Sequence, residues 1–333
     1  MRVRGMWVRG VRRWPLVPLA VACGRRLAGA AVTLLAASAV LFAAAEVLPG
    51  DAATAALGGS ATADQLARLH AQLGLDRPLV VRYADWIGAA LGGDLGRSTA
   101  DGRPVRAIIA GPLADTLLLV GVCAVLTVLL ALAVGLAAGL RPGGRLDRVL
   151  SGGAVVLVSL PQFVTAGLLV LVCASWLGVL PAVSLVPFGA SPLARPEVLV
   201  LPVAALTLFS AAWASRMVRA AVADAAAAPH VAAARLAGLS ERRVVWRHLL
   251  PTAAGPCVQV FGWLAGALVG GTAVVEQVFN YPGLSRELVA SVEHHDTAVL
   301  EGVGLLMAAA VVGGLVLADL VGMAVDPRLR RAR

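Results

Sequence analysis

The sequence predicts an all-α, polytopic membrane protein with about six transmembrane helices. Of its 333 residues, 59% are hydrophobic and only 14% are charged, and the mean hydropathy is +0.85. A soluble domain averages about 45–50% apolar and about 25% charged residues. The chain also contains six apolar runs near or above the roughly 20 residues that cross a bilayer as a helix. Helices are expected because lipid offers the backbone no hydrogen-bonding partner.

The six predicted spans lie at 27–48, 112–139, 150–178, 198–222, 255–275 and 299–324. Pro161 is in the middle of the third span and is expected to kink it, with Ser159, Gln162 or Thr165 satisfying the freed backbone groups. The first span follows a basic segment and ends near three alanines at 43–45, which is also a signal-peptide pattern. Its length exceeds the usual apolar core of a signal peptide, about 7–15 residues, and favours an uncleaved helix.

The distribution of arginine predicts how the chain is oriented. All 28 basic residues are arginine. The two termini and the connections on the same side of the predicted bundle, which include the loop at 223–254, hold 20 of them, and the connections on the other side hold 8. Because connections rich in arginine face the cytoplasm, both termini and the loop at 223–254 are expected there. Topology therefore explains the net charge of +9, and no nucleic-acid partner is predicted.

Five regions follow from these spans. They are a cytoplasmic N-terminal segment (1–26), a first transmembrane helix (27–48), an extracytoplasmic cap (49–111), a five-helix transmembrane core (112–324) and a cytoplasmic tail (325–333).

The cap is predicted to be a small helical unit lying against the membrane. Residues 62–65 form a capping box, Leu66, Leu69 and Leu73 then share one helical face, and Gly74 ends the helix. A solvated loop with one helix is the alternative.

Several kinds of chemistry are excluded by composition. Without lysine the chain has no Walker A loop and no Schiff-base chemistry. Its four cysteines lie in or beside apolar segments without a CxxC pair, which indicates core residues and not a disulfide or metal site. The run 293–296 could hold a metal by composition, but it lies in an outer loop, and no histidine falls in a predicted span. We therefore predict no metal, no cofactor and no catalytic residue, which argues against an intramembrane enzyme.

The loop at 229–256 is a polar, arginine-bearing island between two apolar runs. Pro229 suits the first turn of a helix, Gly238 suits a left-handed helix end, and Ser240 can cap a second short helix. Alanines at 232–234 would let another surface approach closely. A loop that binds lipid headgroups through its arginines is the alternative.

Short strings give the chain a family resemblance. The spacing of Ala233-Ala234, Gly238 and Leu250-Pro251 resembles the "EAA…G…LP" loop of ABC importer permeases. Strings similar to the dipeptide/oligopeptide/nickel branch follow in order from about residue 20 to about residue 330: LPGD (48–51), LGLDRPL (73–79), Y..W (83–86), GDLG.S (93–98), PV (104–105), SLPQF (159–163), VVEQVFNYPGLSREL (274–288) and DPR (326–328). Ala232 departs from the pattern, since many permeases carry Glu there. His248, where Ile is usual, looks like the peptide branch.

This resemblance implies a translocation subunit in a bacterial or archaeal cell (inner) membrane. ATP hydrolysis would belong to two separate ATPase subunits, and the coupling residues would be Ala232, Ala233, Ala234, Arg235, Gly238, Leu250 and Pro251. Arg235, Arg242 and Arg243 could pair with acids of the ATPase. A second permease, as a heterodimer, and an external binding protein complete the expected assembly, with residues 281–284 and the cap meeting the binding protein.

Cargo is expected to be peptide, with nickel or another small solute as the alternative. A self-sufficient ion-coupled transporter stays open as well, although such proteins favour internal repeats or paired broken helices, and the sequence shows neither.

Polar residues inside the spans are the candidates for a translocation path. Gln162, Gln259, Trp263 and Thr272 could line it, although such residues also join helices to each other. Among ionisable residues, Glu46, Asp115 and Glu276 are expected at outer ends of spans in reach of water, and Asp319 is expected to pair with an arginine. The spacing of glycines 262, 266 and 270 predicts close helix packing, within the subunit or with the second permease.

Overall fold

The structure is a computed structural model that describes residues 19–47, 62, 64, 76–187 and 189–325. Its α-helices, in chain order, are α1 (Leu19–Val47), α2 (Leu79–Leu91), α3 (Val105–Gly139), α4 (Arg145–Ser159), α5 (Gln162–Leu169), α6 (Glu197–Ala226), α7 (Pro229–Leu236), α8 (Glu241–Val244), α9 (Leu250–Val278), α10 (Leu284–Glu293) and α11 (Thr297–Val325). A π-helix (Val170–Trp176) continues α5, a 3₁₀ turn (Pro192–Ala194) precedes α6, and a second π-helix (Val245–Leu249) joins α8 to α9. Within the described residues, the only extended pairing is one isolated bridge, Arg97 to Pro104.

Among the described residues, five helical segments are long and apolar enough to cross a membrane, namely Ala20–Val47, Val105–Gly139, Glu197–Ala226, Glu241–Val278 and Thr297–Met323. The pair formed by α4 and the α5 segment passes the same test but is bent by 101°. The predicted all-α architecture is confirmed, with five candidate spans, or six when the bent pair counts as one.

The bend falls at Pro161, where a kink is predicted. Leu160 is extended (φ −81°, ψ 129°), as expected for a residue that precedes proline. The Gln162 side-chain amide donates to the carbonyl oxygen of Gly271 on α9 over 3.3 Å, and the Ser159 hydroxyl donates to Val155 within its own helix. The buried Thr165 hydroxyl finds no partner among the described residues. The backbone preferences of proline therefore predicted the position of the break, and the Gln162 amide joins the start of α5 to α9.

Helix α6 forms the centre of the bundle. In its most apolar stretch 67% of the residues are buried, against 6–33% in the other candidate spans of the described chain. Two glycines of α3 let that helix approach α6 closely. A Cβ on Gly135 would lie 2.7 Å from the Val218 Cβ, and one on Gly139 would lie 2.8 Å from the Arg219 carbonyl oxygen. At these two positions the backbone of α3 is therefore in direct contact with α6.

The predicted glycine ridge on α9 packs against α11 of the same chain. A Cβ on Gly262 would overlap Ala318, and one on Gly266 would lie 3.2 Å from the Val311 carbonyl oxygen. Gly270, the third glycine of the ridge, has nothing within 4 Å. Intrasubunit packing thus accounts for the first two glycines.

The described part of the predicted cap contains α2, which lies against the end of α1. The Phe42 ring of α1 contacts both Tyr83 and Trp86, each at 5.6 Å between centroids, and Arg82 donates to Glu46 over 2.8 Å. Glu46 is therefore held in an ion pair and is not simply solvated. The predicted cap helix after the capping box lies outside the described residues.

The prediction for Glu276 is wrong, because the side chain is completely buried instead of reaching water. Its carboxylate accepts from the Thr116 hydroxyl of α3 and from the Ser285 backbone N–H, each over 2.7 Å. Ser285 is the second residue of α10, so the carboxylate satisfies a free N–H at that helix start. A Cβ on Gly283 would overlap the Glu276 carboxyl group, which explains the glycine in the NYPGLS string.

Residues 281–284 are also more buried than expected for a docking segment. Tyr281 is fully buried, its hydroxyl donates to the Asp115 carbonyl oxygen over 2.8 Å, and burial raises the pKa of this phenol above its ordinary value. Gly283 and Leu284 are buried too, and only Pro282 is partly exposed. Of this turn, only Pro282 is at the surface of the chain, and the expected contact with a binding protein stays a prediction.

Candidate functional site

The loop between α6 and α9 folds as a helix–turn–helix, as predicted. Pro229 opens α7 after an extended Ala228, and Gly238 adopts the left-handed conformation (φ +77°) that ends it. The Leu239 N–H closes the turn on the Ala234 carbonyl oxygen over 3.3 Å. Ser240 precedes α8 as expected, but its side chain makes no cap bond; its backbone carbonyl accepts from Val244 instead.

One face of α7 is fixed to the bundle by apolar packing. Val231 is fully buried and Ala234 is nearly so, and both belong to a cluster with Val222 of α6, Val244 of α8 and Leu249 before α9. Burial of such side chains stabilises by roughly 25 cal/mol per Å² of apolar surface. This face of α7 is therefore packed on the ends of two long helices, α6 and α9.

The opposite face of α7 is open and apolar. Ala232 and Ala233 are exposed, and Leu236, at the end of the same helix, is 90% exposed. A single exposed leucine is ordinary, but here it adjoins two alanines on a helix that is anchored from behind. Sequence reasoning missed Leu236, although its distance of four residues from Ala232 places both on one helical face.

Arg235, one of the arginines expected to pair with the ATPase, is bonded within the loop in this structure. Its guanidinium Nε donates to Glu241 across the Gly238 turn over 3.0 Å, and a second nitrogen reaches the Ala226 carbonyl oxygen over 3.4 Å. An ion pair inside the loop therefore exists although Ala232 replaces the family's Glu. Arg242 and Arg243 are exposed.

Hydrogen bonds join the two ends of the loop. His230 Nε2 lies 3.0 Å from the Thr252 hydroxyl, which in turn donates to the His248 carbonyl oxygen over 2.7 Å. Leu250 is half-buried, and Pro251 is exposed in the first turn of α9. The Leu-Pro pair of the motif thus marks the point at which α9 begins.

A polar anchor that sequence reasoning missed holds the same end of α6. Arg219 donates to both carboxylate oxygens of the buried Asp147 in α4, over 3.0 and 2.6 Å. Asp147 also accepts from the Gly143 N–H and the Ser151 hydroxyl. Because Arg219 lies on the helix that leads into α7, α4 is tied to the segment that carries the loop.

The four candidate path residues separate into two groups. Gln259 and Trp263 lie together, both exposed, on a surface shared by a cavity of about 380 Å³ and a groove of about 600 Å³. The Trp263 ring packs on Trp213 at 4.3 Å between centroids. Gln162 is half-buried against Gly271, and Thr272 is fully buried with its hydroxyl bonded to Val269 of its own helix.

The smaller cavity contains the expected ion pair of Asp319, whose carboxylate accepts from Arg26 of α1. The larger groove contains Asp224 and Thr252. Charged and amide groups therefore accompany the two tryptophans at the end of the bundle nearer the loop. No cluster of three or more metal-ligating side chains occurs among the described residues.

The comparisons with known proteins match this arrangement. The family model for the inner membrane component of binding-protein-dependent transport systems matches residues 131–331, and its N-terminal companion matches residues 22–111. The chain belongs to this family. It is a multi-pass inner-membrane permease subunit and is not itself the ATPase.

Relatives of similar length support the assignment. A putative peptide transport system permease protein of Brucella abortus (strain 2308) is 32% identical over 306 residues, covering 92% of this chain and 98% of that protein. The glutathione transport system permease protein of Salmonella typhimurium (strain LT2) is 35% identical over 306 residues, covering 92% and 97%.

Two solved structures show the same fold. The inward-facing MetNI methionine ABC transporter aligns with a TM-score of 0.53 at 21% identity, over 66% of this chain and 96% of that chain. An amino acid ABC transporter solved with histidines aligns with a TM-score of 0.51 at 19% identity, over 64% and 92%.

Proposed function

We propose that this permease is the translocation subunit of an ATP-driven importer for peptides and that α7 couples it to a separate ATPase. The relatives named for peptide and glutathione transport support the cargo class. The observation that carries the coupling role is the two-sidedness of α7. Its inner face is locked to α6 and α9, and its outer face, Ala232, Ala233 and Leu236, is apolar and open.

In this mechanism the permease supplies no chemistry of its own. Movement of an ATPase subunit would pull on the outer face of α7, and Val231 and Ala234 would pass the displacement to α6 and α9. The ion pair between Arg219 and Asp147 would carry it to α4. Such a permease alternates between two states, and the ATPase biases their populations.

Gln259 and Trp263 are the residues we propose for the translocation path. They share an exposed surface between two cavities whose linings include Asp224 and Asp319. Carboxylates, an amide and aromatic rings suit the charged and amide groups of a short peptide. Thr272 is left out because it is buried in this chain, and Gln162 is left out because its side-chain amide is bonded to the Gly271 carbonyl oxygen.

The assembly we propose has a second, similar permease, two ATPase subunits and an external binding protein. Both termini and the α7 loop would face the cytoplasm, since the arginine-rich connections lie there. The outer segments, including the cap at 49–111, would then meet the binding protein.

The first test is to purify the tagged chain gently from its native membrane and to identify co-purifying proteins by mass spectrometry. Recovery of an ATPase, a second permease and an exported binding protein is expected. A chain that comes out alone after mild crosslinking would favour a self-sufficient transporter instead.

The coupling face is tested by Leu236→Asp. We expect normal amounts of assembled permease but at least a tenfold loss of bound ATPase, because a carboxylate would have to be desolvated in an apolar contact. The matched control is Leu91→Asp at the end of α2, where leucine is 81% exposed. Equal ATPase binding by both variants would remove α7 from the proposed interface.

A further inference from the structure

Thr252 belongs to two parts of the molecule that the proposed function treats separately. Its hydroxyl lies 3.0 Å from Nε2 of His230, in the first turn of α7. The same side chain lines the groove of about 600 Å³ that contains Gln259 and Trp263. Because the hydroxyl donates its hydrogen to the His248 carbonyl oxygen over 2.7 Å, it must accept from His230. A directed bond therefore runs from the coupling helix to the wall of the groove.

The groove lies between the end of α6 and the start of α9. Its lining comes from positions between 213 and 225 of α6 and between 252 and 263 of α9. Thr252, Pro256 and Gln259 are spaced four and three residues apart, so they share one face of α9. All three are exposed, whereas Ala253 and Cys257 are buried in the bundle. One face of α9 therefore opens on the groove along its first two turns.

The same face of α9 has a weakened backbone. Pro251 and Pro256 have no N–H, so the carbonyls of Arg247 and Thr252 lack the donors that a regular α-helix would supply. A π-helix at Val245–Leu249 immediately precedes these turns. Prolines and π-turns are the usual places at which a helix bends. The start of α9 is therefore suited to bend, and the bend lies beside the groove.

The opposite wall of the groove is held more firmly. Among the candidate spans of the described chain, α6 has the largest buried share in its apolar stretch. Arg219 also ties this end of α6 to the buried Asp147 of α4. Of the two walls, the one formed by α9 can therefore move with the smaller loss of hydrogen bonds and packing.

We propose that Thr252 is a positioning residue that makes the width of the groove depend on the position of α7. The inference rests on the proposed coupling role of α7. With the bond from His230 in place, the first turn of α9 follows α7, and bending between Pro251 and Pro256 moves the α9 wall relative to α6. Thr252 thereby links the ATPase-facing helix to the proposed cargo path.

The apolar packing behind α7 does not replace this bond. Val231 shares a cluster with Leu249 and Ala253, so α7 stays against α9 when the hydroxyl is removed. Hydrophobic contact is non-directional, however, and allows one helix to turn on the other. A hydrogen bond fixes both a distance and an angle. Loss of the hydroxyl should therefore leave the loop folded but free the start of α9 from α7.

The test measures the groove directly and needs no cargo. The full complex is assembled in nanodiscs from a chain whose four cysteines are replaced by alanine, and Ala221→Cys then places one thiol on the α6 wall of the groove. The rate at which a maleimide labels this thiol is compared without nucleotide and after trapping with ATP and vanadate. We expect the two rates to differ about fivefold, because a moving wall changes access to the thiol.

Thr252→Val removes the hydroxyl, and the two labelling rates should then differ by less than about twofold. ATPase content and ATP hydrolysis should stay near those of the parent, since the outer face of α7 is unchanged. Thr252→Ser keeps a hydroxyl and should restore the difference. The matched control is Thr33→Val, which removes an exposed hydroxyl bonded over 2.9 Å to the Gly29 carbonyl oxygen of α1. It should label as the parent does.

His230→Ala tests the same bond from its other end, and it also serves if Thr252→Val does not assemble. Each single variant and the double variant should reduce the difference equally, because all three remove one shared bond. Additive losses would show that the two residues act separately and would overturn the inference. An unchanged difference in Thr252→Val, with or without a lower unfolding temperature, would overturn it too, since the bond would then be structural only.

ATPase content separates this inference from the proposed function. A parent complex that retains its ATPase but labels equally in both nucleotide states would overturn the role of Thr252 and leave the coupling surface of α7 standing. A parent chain that retains no ATPase would contradict the proposed function itself, and the inference would fail with it.

Discussion

Two short helices, α7 and α10, each follow or precede a long membrane helix, yet they differ in what is buried beneath them. The start of α10 is fixed by buried polar groups, with Glu276 bonded to Thr116 and to the Ser285 N–H, in addition to the apolar packing of Leu284. α7 is fixed by apolar side chains on one face, and its other face stays open. A polar network tolerates little displacement, whereas an apolar face holds a helix and leaves its far side available. Under the proposed coupling role, α10 stays in place and α7 offers its open face to a partner.

The largest loss of stability is expected when the polar anchor of α10 is removed by Glu276→Ala. The change leaves the Thr116 hydroxyl and the Ser285 N–H buried without an acceptor, at about 1–3 kcal/mol each, and it also opens a cavity. We expect a loss of about 4 kcal/mol or more, seen as little or no folded protein in detergent by size-exclusion chromatography and thermal unfolding. Glu293→Ala, at the exposed end of α10, is the control and should behave as wild type. A stable Glu276→Ala chain would show that α10 is held by something else.

The apolar anchor of α7 is tested by Leu249→Ala. Leu249 is fully buried in the cluster that contains Val231, and a leucine-to-alanine change in such a place costs about 2–5 kcal/mol. The measurement is the midpoint of thermal unfolding, compared with Leu236→Ala on the exposed face of the same loop. We expect a clear loss for the first and no measurable loss for the second. Similar values would mean that the two faces of the loop do not differ as described.

A smaller effect is expected where α6, the helix that carries α7, meets α3. Gly135→Ala places a Cβ 2.7 Å from that of Val218, and such overpacking costs about 1–3 kcal/mol. Gly121→Ala on the same helix meets open space and gains about 1 kcal/mol of helix propensity. Opposite shifts in unfolding temperature are therefore expected from the same chemical change. Equal shifts would exclude close packing of α3 on α6.

The features that the sequence predicted correctly depend on local chemistry. Pro161 marks the break between α4 and α5, Pro229 and Gly238 bound α7, and apolar run length indicates the spans. Each of these follows from a residue's own backbone preferences or from the length of its segment. The family resemblance rested on the same kind of short, ordered strings, and it too was confirmed.

The features that sequence reasoning missed depend on distant partners. The buried Glu276 carboxylate accepts a hydrogen bond from Thr116, which is 160 residues away. No local sequence pattern predicts that pairing. The ion pair between Arg219 and Asp147 was missed for the same reason, since the two residues are 72 positions apart. The 101° angle at Pro161 and the exposure of Leu236 likewise follow from which helices meet, and the spacing of apolar residues does not encode that choice.

The smallest expected effect concerns the ion pair across the Gly238 turn. Arg235→Gln removes the bond to Glu241, and an exposed pair of this kind contributes only about 0.2–1 kcal/mol. Arg195→Gln, which breaks a pair with Glu197 of the same length and similar exposure, is the control. We expect both variants to unfold at nearly the wild-type temperature, since apolar packing and not this pair holds α7. Only Arg235→Gln should lower ATPase stimulation by cargo-loaded binding protein, by about twofold, because a looser turn transmits less of the displacement. A large loss of stability on Arg235→Gln would show instead that α7, like α10, depends on a polar anchor.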